Sequence, residues 1–222
     1  MDYIIAKSDK STEKAGYHLM GIFTDKKTNH IDKKVSKSTT NTIIDSIKNR
    51  EISGETGDYQ IFDDNGIAHK VVIFGLGERK KFNPIILNRT VSSVIKKIAK
   101  TSAKIFSINT RNMVSSNLTT SVQQLIIAME SSFYKFSLKK IEGKVKLKKC
   151  IFLSDRKMST KDFNNVAKIS KSISSGISLA KDLGNTPPNI CTPLFLSNEA
   201  KKLQKINKFI KVKILDEKKM KS

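Results

Sequence analysis

The sequence from His69 to Gly77 reads HKVVIFGLG, an apolar run that ends in two closely spaced glycines. Consecutive Val, Val, Ile and Phe residues favour a strand that is buried on both faces, as in a parallel sheet. Asn83 and Pro84 come next, and asparagine at the N-cap with proline at the first helical position predicts the start of a helix. This part of the chain therefore predicts a strand, a sharp turn and a helix.

The same alternation extends in both directions from this unit. The helix after Pro84 has apolar residues at i, i+3 and i+4 spacing, and so does a segment around Ile43. Asp63-Asp64-Asn65-Gly66 predicts a tight hairpin turn. Further strands are expected at 3–6, 17–24, 59–62, 104–108 and 147–153, and a further helix at 118–133. We therefore predict an α/β domain over residues 1–158, in which a mixed β-sheet is flanked by helices.

The C-terminal third of the chain predicts a different organisation. A helix over 159–183, with apolar residues from Phe163 through Ile169 and Ile173 to Ala180, links the first domain to the rest of the chain and is expected to dock on that domain. After a proline-rich loop, Thr192-Pro193 begins another helix, residues 209–215 predict a strand, and Asp216-Glu217 predicts a new helix start. We expect 184–222 to be the incomplete start of a second α/β domain, with an apolar surface that lacks its sheet.

The charge of the chain is strongly positive, at +22 over 222 residues. Lysine supplies 37 of the 42 basic residues and is spread along the whole sequence. Because arginine rather than lysine reads bases and clamps phosphates in a bidentate way, this pattern favours compositional drift over a surface selected for polyanions, although both interpretations stay open.

The cysteines and the apolar segments predict a cytoplasmic protein. Cys150 lies in an apolar strand pattern and Cys191 in a loop, and neither has a partner at metal or redox spacing. A reducing compartment is the simplest setting for such thiols. The apolar run after Met1 is too short for a signal peptide, and no stretch approaches the ~20 apolar residues of a membrane span.

The motifs that carry chemistry elsewhere are incomplete in this sequence. Gly75 and Gly77 resemble part of a phosphate-binding loop, but Lys80 stands where the third glycine would be, so we interpret the glycines as a strand-to-helix turn. The histidines His18, His30 and His69 are isolated from other metal ligands, and His18 and His69 fall in strand patterns that favour a structural role.

The acidic pairs give no acid/base site either. Asp63-Asp64 predicts a turn and Asp216-Glu217 a helix start, and adjacent side chains point apart on a strand or helix. The sequence contains no GxSxG nucleophile elbow. We therefore predict that this chain holds no catalytic, cofactor-binding or metal-binding residue.

A longer motif lies between Lys181 and Pro193, which reads KDLGNTPPNICTP and continues through the apolar helix positions Leu196, Ala200 and Leu203. It resembles the start of the catalytic domain in the leucyl (cytosol) aminopeptidase family. Upstream, EISGETG at 51–57 and VVIFGLG at 71–77 are similar to the N-terminal domain of that family. The alternative interpretation of the motif is an ordinary proline-rich linker between two helices.

The resemblance implies a two-domain, hexameric hydrolase that removes N-terminal residues from peptides with two divalent metals, zinc or manganese. The family's metal-ligand runs, NTDAEGRL and a TFDSGG segment, do not occur here. No family catalytic residue can therefore be placed on this sequence, and the chain alone is predicted to be inactive. The alternative from another class is a stand-alone basic α/β module that binds nucleic acid non-specifically.

Overall fold

The computed structural model of the chain describes residues 1–6, 14–25, 31–113, 117–138, 146–154 and 158–221. The chain forms two compact units. The first comprises 1–134 and 142–175, and the second 135–141 and 176–222.

Alternating strands and helices build the first unit, in agreement with the α/β prediction. In chain order the elements are β1 (Asp2–Ala6), β2 (Ala15–Ile22), α1 (Lys37–Lys48), β3 (Tyr59–Asp63), β4 (Ala68–Gly75), α2 (Pro84–Ile98), β5 (Ile105–Asn109), α3 (Leu118–Ser132) and β6 (Lys149–Leu153). The helix α4 (Thr160–Asn185) begins in this unit and ends in the second.

Six strands of the described residues form one sheet in the order β1-β6-β5-β2-β4-β3. The pairs along β1, β6, β5, β2 and β4 are parallel, whereas β3 pairs with β4 antiparallel. The prediction of a mixed sheet is therefore confirmed. The predicted hairpin is also present, but Asp63 is the last residue of β3 rather than part of the turn, because it pairs with Lys70.

Apolar side chains cover both faces of the sheet. On one face, α2, α3 and the start of α4 pack on residues such as Leu19, Phe106 and Phe152. On the other, Ile43 and Ile47 of α1 contribute to a second cluster. The β4 residues Val71–Phe74 are all buried and alternate between the two clusters, which confirms the predicted burial on both faces.

The helices α2 and α4 begin within one residue of the positions that the sequence predicts. Asn83 Oδ1 accepts hydrogen bonds from the backbone N–H groups of Ile85 and Ile86, and Pro84 is the first residue of α2. Ser159 Oγ accepts a hydrogen bond from Asp162 N at 3.0 Å before α4 begins. These caps satisfy N–H groups that have no partner within the helix.

The helix α4 docks through fewer apolar residues than the sequence predicts. Phe163 and Val166 are buried, as expected, but Ile169 is 54% exposed and Ile173 is also exposed. The buried face continues instead through Ala167, Ser170 and Ser174. Because 163, 167, 170 and 174 form one helical stripe, Ile169 and Ile173 belong to a second, exposed apolar stripe.

The second unit contains the end of α4, then α5 (Pro193–Ile206) and the short α6 (Glu217–Lys221). Thr192 caps α5 through a hydrogen bond from Phe195 N to Thr192 Oγ1 of 3.3 Å. The predicted strand at 209–215 is wrong, because these residues form no strand. A strand is held by its ladder to a neighbour, and no segment of the described chain pairs with this one.

Candidate functional site at the carboxyl ends of the strands

The topology of the first unit creates a crevice between two neighbouring strands. The chain leaves β2 for α1 on one face of the sheet, and it leaves β5 for α3 on the opposite face. In open α/β sheets, ligands bind outside the carboxyl ends of two neighbouring strands whose connections leave on opposite faces of the sheet. The carboxyl ends of β2, β4 and β5 are therefore where a site is expected.

A cavity of about 260 Å³ lies at this place. Three segments line it, each coming after the carboxyl end of a parallel strand. Phe23 follows β2, Arg79 and Phe82 follow β4, and Asn112 and Met113 follow β5. The first two turns of α2 and α3 complete the wall with Pro84, Leu87, Thr120, Ser121 and Gln124.

The apolar wall of the cavity is held by aromatic and cation–π contacts. The rings of Phe23 and Phe82 meet edge to face, with centroids 5.1 Å apart and planes at 89°. The Arg79 guanidinium lies 4.1 Å from the centroid of the Phe23 ring, and Arg79 Nε donates to Asp25 Oδ2 at 2.9 Å. Arg79 is thus fixed at the cavity by one ring and one carboxylate.

Asn112 belongs to the polar part of the cavity wall. Asn112 Nδ2 donates to the carbonyl oxygen of Gly21 at 2.8 Å, which fixes the orientation of the amide. Asn112 Oδ1 is buried and has no hydrogen-bond partner among the described residues. A buried acceptor without a donor costs free energy, and because almost none of its surface is accessible, a ligand in the cavity would not contact it.

The two glycines of the β4 turn lie beside this crevice and have a structural role, as their sequence context indicates. Gly77 has φ of 77°, and its N–H donates to Gly54 O at 2.8 Å. A Cβ at Gly75 would collide with the carbonyl oxygen of Glu55. Positive φ at one glycine and close backbone approach at the other explain both residues without a bound phosphate.

The predicted structural role of His18 is confirmed in part. The ring is fully buried in β2, and Nδ1 lies 2.8 Å from Ser107 Oγ, but Nε2 has no hydrogen-bond partner in the part of the chain that the structure describes. Burial lowers the pKa of His18 to about 4, although the carboxylates of Asp32 and Asp64 oppose the shift. His18 is therefore neutral at pH 7.

The other histidines do not form a site. His69 lies in β4 as predicted, but it is exposed, so the packing of a structural histidine is absent there. The residue is in the strand segment next to the hairpin turn, where side chains on one face reach solvent. His30 lies outside the described residues.

Of the two acidic pairs, Asp216 lies at a helix start as the sequence predicts, whereas Asp63 ends β3 and only Asp64 lies in the predicted turn. Asp63 is exposed and bonds to Lys70 Nζ, whereas Asp64 is buried and accepts hydrogen bonds from the backbone N–H groups of Ser36 and Gly66, each at 3.0 Å. Burial alone would raise the pKa of Asp64, but these hydrogen bonds lower it. Asp216 Oδ1 accepts from Lys219 N at the start of α6. Each of these three carboxylates therefore has its own hydrogen-bond partners.

The cysteines are both free. Cys150 is buried in β6, as predicted, and burial raises the pKa of its thiol well above the usual value, so the thiol is unreactive at neutral pH.

In the described part of the chain, no three His, Cys, Asp or Glu residues come together in a way that could hold a metal ion. Among the helices described, none is long and apolar enough to cross a membrane.

Sequence reasoning did not find the cavity. Its walls come from segments that are about 90 residues apart, such as Phe23 and Asn112, and only the strand order brings them together. The sequence contained only a weak indication of this cavity. Polar or turn residues follow β2, β4 and β5, and a parallel sheet brings the carboxyl ends of its strands to one edge.

The strand order and the two apolar clusters define the structural class of the first unit, which is an α/β domain with a mixed sheet between helical layers. Residues 19–142 match the family model described as the cytosol aminopeptidase family, N-terminal domain. The match covers more than half of the chain, so the chain belongs to the cytosol aminopeptidase family, and the resemblance seen in the sequence is confirmed.

Curated relatives agree over nearly the whole chain. A probable cytosol aminopeptidase of Buchnera aphidicola subsp. Schizaphis graminum is 29% identical over 99% of this chain and 45% of its own length. The cytosol aminopeptidase of Pseudomonas aeruginosa is 26% identical over 99% of this chain and 46% of its own length. The chain thus spans about half the length of the curated relatives it matches.

Solved structures show the same fold. A mutant of tomato leucine aminopeptidase matches with a TM-score of 0.79 at 16% identity, over 100% of this chain and 45% of that one. The bottromycin maturation enzyme BotP in complex with Mn matches with a TM-score of 0.59 at 13% identity, over 86% of this chain and 36% of that one. At these identities the comparison concerns the fold alone.

Proposed function

We propose that this chain is the N-terminal portion of a leucyl-aminopeptidase-type metallopeptidase of the cytoplasm. The whole protein would release N-terminal amino acids from peptides with two divalent metals, manganese or zinc, as a homohexamer. The observation that carries the proposal is the family match at 19–142, together with relatives named cytosol aminopeptidases that align over 99% of this chain.

The proposed division of labour follows the order of the elements. Residues 1–158 form a non-catalytic domain, 159–183 a linking helix, and 184–222 the start of the catalytic domain. The exposed apolar side chains of α5 support this division, because an amphipathic helix is stable when its apolar face is covered. In the proposal, the remainder of the catalytic domain covers them.

The described residues do not fit a centre of two metals. They bring no three His, Cys, Asp or Glu side chains together, and the carboxylates of Asp63, Asp64 and Asp216 each have a structural partner. No step of peptide hydrolysis is therefore assigned to a residue of this chain. Its role in the proposal is to fold, to support the catalytic domain and to contribute to assembly.

Two experiments test the proposal. The first is to read the coding DNA beyond the codon for Ser222, where we expect an open frame that encodes the NTDAEGRL and TFDSGG runs. A frame that continues into an unrelated sequence would contradict the proposal.

The second experiment is an assay of the isolated chain with leucine p-nitroanilide and added manganese or zinc. We expect turnover no faster than a blank that contains metal without protein. The control is the full-length protein, for which we expect turnover under the same conditions. Hydrolysis by residues 1–222 alone would show that the catalytic residues lie in this chain after all.

The comparisons do not favour the alternative of a stand-alone nucleic-acid-binding module. The relatives that cover 99% of this chain are named cytosol aminopeptidases or probable ones, and the family model describes the N-terminal domain of that family. The positive charge of +22 is then a property of the surface rather than evidence for a separate function.

A further inference from the structure

The strand β3 lies at one edge of the sheet and has a side without a partner strand. Among the described residues it pairs only with β4. Asp58 O accepts from Gly75 N, and Asp64 N donates to His69 O, so the even-numbered residues carry the hydrogen bonds to β4. The odd-numbered residues therefore direct their backbone N–H and C=O groups away from β4.

These outward backbone groups are available to another chain. The N–H and C=O groups of Tyr59 and Ile61 and the N–H group of Asp63 have no hydrogen-bond partner in the described part of the chain. The Asp63 carbonyl is different, because it accepts from Thr39 Oγ1 at 3.0 Å. A row of unpaired backbone groups on an edge strand is a template for one more strand.

The side chains of the same residues form an apolar surface. Phe62 belongs to the cluster with α1, so Tyr59 and Ile61 lie on the opposite face of the sheet, the face that α2 covers. Their neighbours on β4, Phe74 and Val72, are buried there, but Tyr59 is 40% and Ile61 43% exposed. A strand added beside β3 would cover these two side chains.

A stripe of α2 forms a wall beside this surface. Arg89 and Ser93 line a cavity of about 140 Å³ together with Tyr59, and Lys97 Nζ lies 3.2 Å from the centroid of the Tyr59 ring. Residues 89, 93 and 97 are four apart and share one face of the helix. The groove between this face and β3 is therefore bordered by two cationic side chains.

The charges at the groove favour an acidic occupant. The carboxylate of Asp58 is hydrogen-bonded within its own loop, and that of Asp63 is bonded to Lys70 Nζ. Arg89 and Lys97, by contrast, form no ion pair with a described residue. The two cations that border the groove are thus available for carboxylates of another molecule.

We infer that the free edge of β3 and the 89–97 stripe of α2 bind an extended, acidic segment of a partner protein as an added strand. Antiparallel pairing is expected because it is slightly more stable than parallel pairing. A second copy of this chain fits less well, since each copy carries a charge of +22. Nucleic acid would use the cations but could not continue the backbone ladder.

The probe is an acetylated and amidated peptide, ETVTETVTE, which places valine and glutamate side chains on one face of a strand. It is titrated into the ¹⁵N-labelled chain. We expect saturable shifts that are larger for the outward amides of Tyr59, Ile61 and Asp63 than for those of Gln60 and Phe62, with a dissociation constant of about 0.1–1 mM. Absent shifts, or equal shifts for the two sets, would overturn the inference.

Two altered peptides separate charge from backbone pairing. KTVTKTVTK keeps the valines and reverses the charge, and ETVTETVTE with both valines N-methylated keeps the side chains but loses N–H donors. We expect each to bind at least about tenfold more weakly. Equal affinity of the lysine peptide would contradict the acidic chemistry, and equal affinity of the methylated peptide would contradict strand addition.

Two exposed isoleucines on the two edge strands provide matched variants. Ile61 is 43% exposed on β3, and Ile4 is 39% exposed on β1. Ile61→Lys should weaken binding of ETVTETVTE at least about tenfold, because charge on an edge strand opposes pairing, and Ile4→Lys should leave it unchanged. Equal binding by both variants, with the folded spectrum retained, would overturn the inference.

A second pair of variants tests the wall on α2. Lys97→Glu and Lys48→Glu change the charge of the chain equally, but Lys48 lies on α1, which covers the other face of the sheet. We expect binding at least about threefold weaker for Lys97→Glu than for Lys48→Glu. Equal binding by the two would contradict the contact with α2.

The other occupants give different results. We expect the chain alone to sediment as a monomer, and a dimer that Ile61→Lys dissociates would assign the edge to a second copy. Duplex DNA should not shift the amides of Tyr59, Ile61 and Asp63 selectively. Either contrary result would overturn the inference, and neither depends on the peptidase activity of the full-length protein.

Discussion

Two helices of similar length and similar amphipathic pattern have opposite environments. In α2 of the first unit, Leu87, Val91, Val94, Ile95 and Ile98 are all buried. In α5 of the second unit, no residue is buried, and Leu194 is 70% exposed. The tail beyond α5 continues the contrast, since Phe209 is 82% exposed.

The difference between α2 and α5 shows that the sequence pattern of a helix and the burial of that helix are separate matters. The spacing of apolar residues specifies that a helix forms and which stripe is apolar. It does not specify what covers the stripe, which depends on other parts of the fold. The helix α4 shows both cases within one element, because the stripe with Phe163 is buried and the stripe with Ile169 is exposed.

The largest expected effect is the difference in the free energy of unfolding between truncating a buried apolar residue and truncating an exposed one. The Phe163 ring is fully buried and meets the Phe152 ring at 5.4 Å, so Phe163→Ala should lower the free energy of unfolding by about 3–5 kcal/mol. The matched substitution Leu194→Ala should change it by no more than about 0.5 kcal/mol. Urea unfolding followed by circular dichroism measures both, and similar losses would show that α5 is packed.

The second effect is a pH dependence of the first unit. His18 has a pKa near 4 in the folded chain, below the usual value of about 6.5, because burial disfavours its charged form. The unfolded chain therefore takes up the proton first as the pH falls, and stability is lost between about pH 6.5 and 4. The loss from this group approaches about 3 kcal/mol at the lower end.

His18→Gln should reduce the loss of stability between about pH 6.5 and 4. His69→Gln, at an exposed position, should leave that loss unchanged. The measurement is the urea midpoint at several pH values for the two variants and the parent chain. The same slope in His18→Gln and the parent would mean that other groups, and not the buried imidazole, produce the pH dependence.

A third, smaller effect compares the caps of α2 and α5. Asn83 caps a helix that is part of the core, so Asn83→Ala should destabilise the first unit by about 1 kcal/mol. Thr192 caps a helix with no buried residue, so Thr192→Ala should leave the main unfolding transition unchanged. A shift of the main transition by Thr192→Ala would show that α5 unfolds together with the first unit.

A final expectation concerns the binding of nucleic acid through the lysine charge, a property that both units share. We expect duplex DNA to bind weakly and without sequence preference, since lysine contacts to phosphates carry the affinity. Affinity should fall roughly tenfold or more when salt is raised from about 50 to about 200 mM. Fluorescence anisotropy with two unrelated duplexes checks this expectation. A sequence-selective complex that survives the higher salt would contradict it.

The sequence predicted local features of this fold better than long-range ones. The Asn83-Pro84 helix start, the buried run Val71–Phe74 and the Gly75–Gly77 turn depend on neighbouring residues, and all three are confirmed. The strand at 209–215 was wrong, because an extended apolar segment becomes a strand only beside a partner.

The candidate site shows the same limit. Phe23, Arg79 and Asn112 have no recognisable spacing in the sequence, and the strand order alone brings them to one cavity. The environment of His69 was also beyond reach, since its strand pattern is compatible with either a buried or an exposed side chain. Sites that depend on topology are visible only after the strands have been ordered.

Hydrogen exchange of the isolated, monomeric chain tests the central claim most directly, namely that the first unit (1–134 and 142–175) holds a core of its own, whereas α5 in the second unit has no buried residue. We propose that a further domain covers the apolar face of α5. We predict strong protection for the amides of Val71–Phe74 and little protection for 194–215, with limited proteolysis cutting first at 185–189. If 194–215 instead proves as protected as Val71–Phe74, the chain is a complete fold and the claim is wrong.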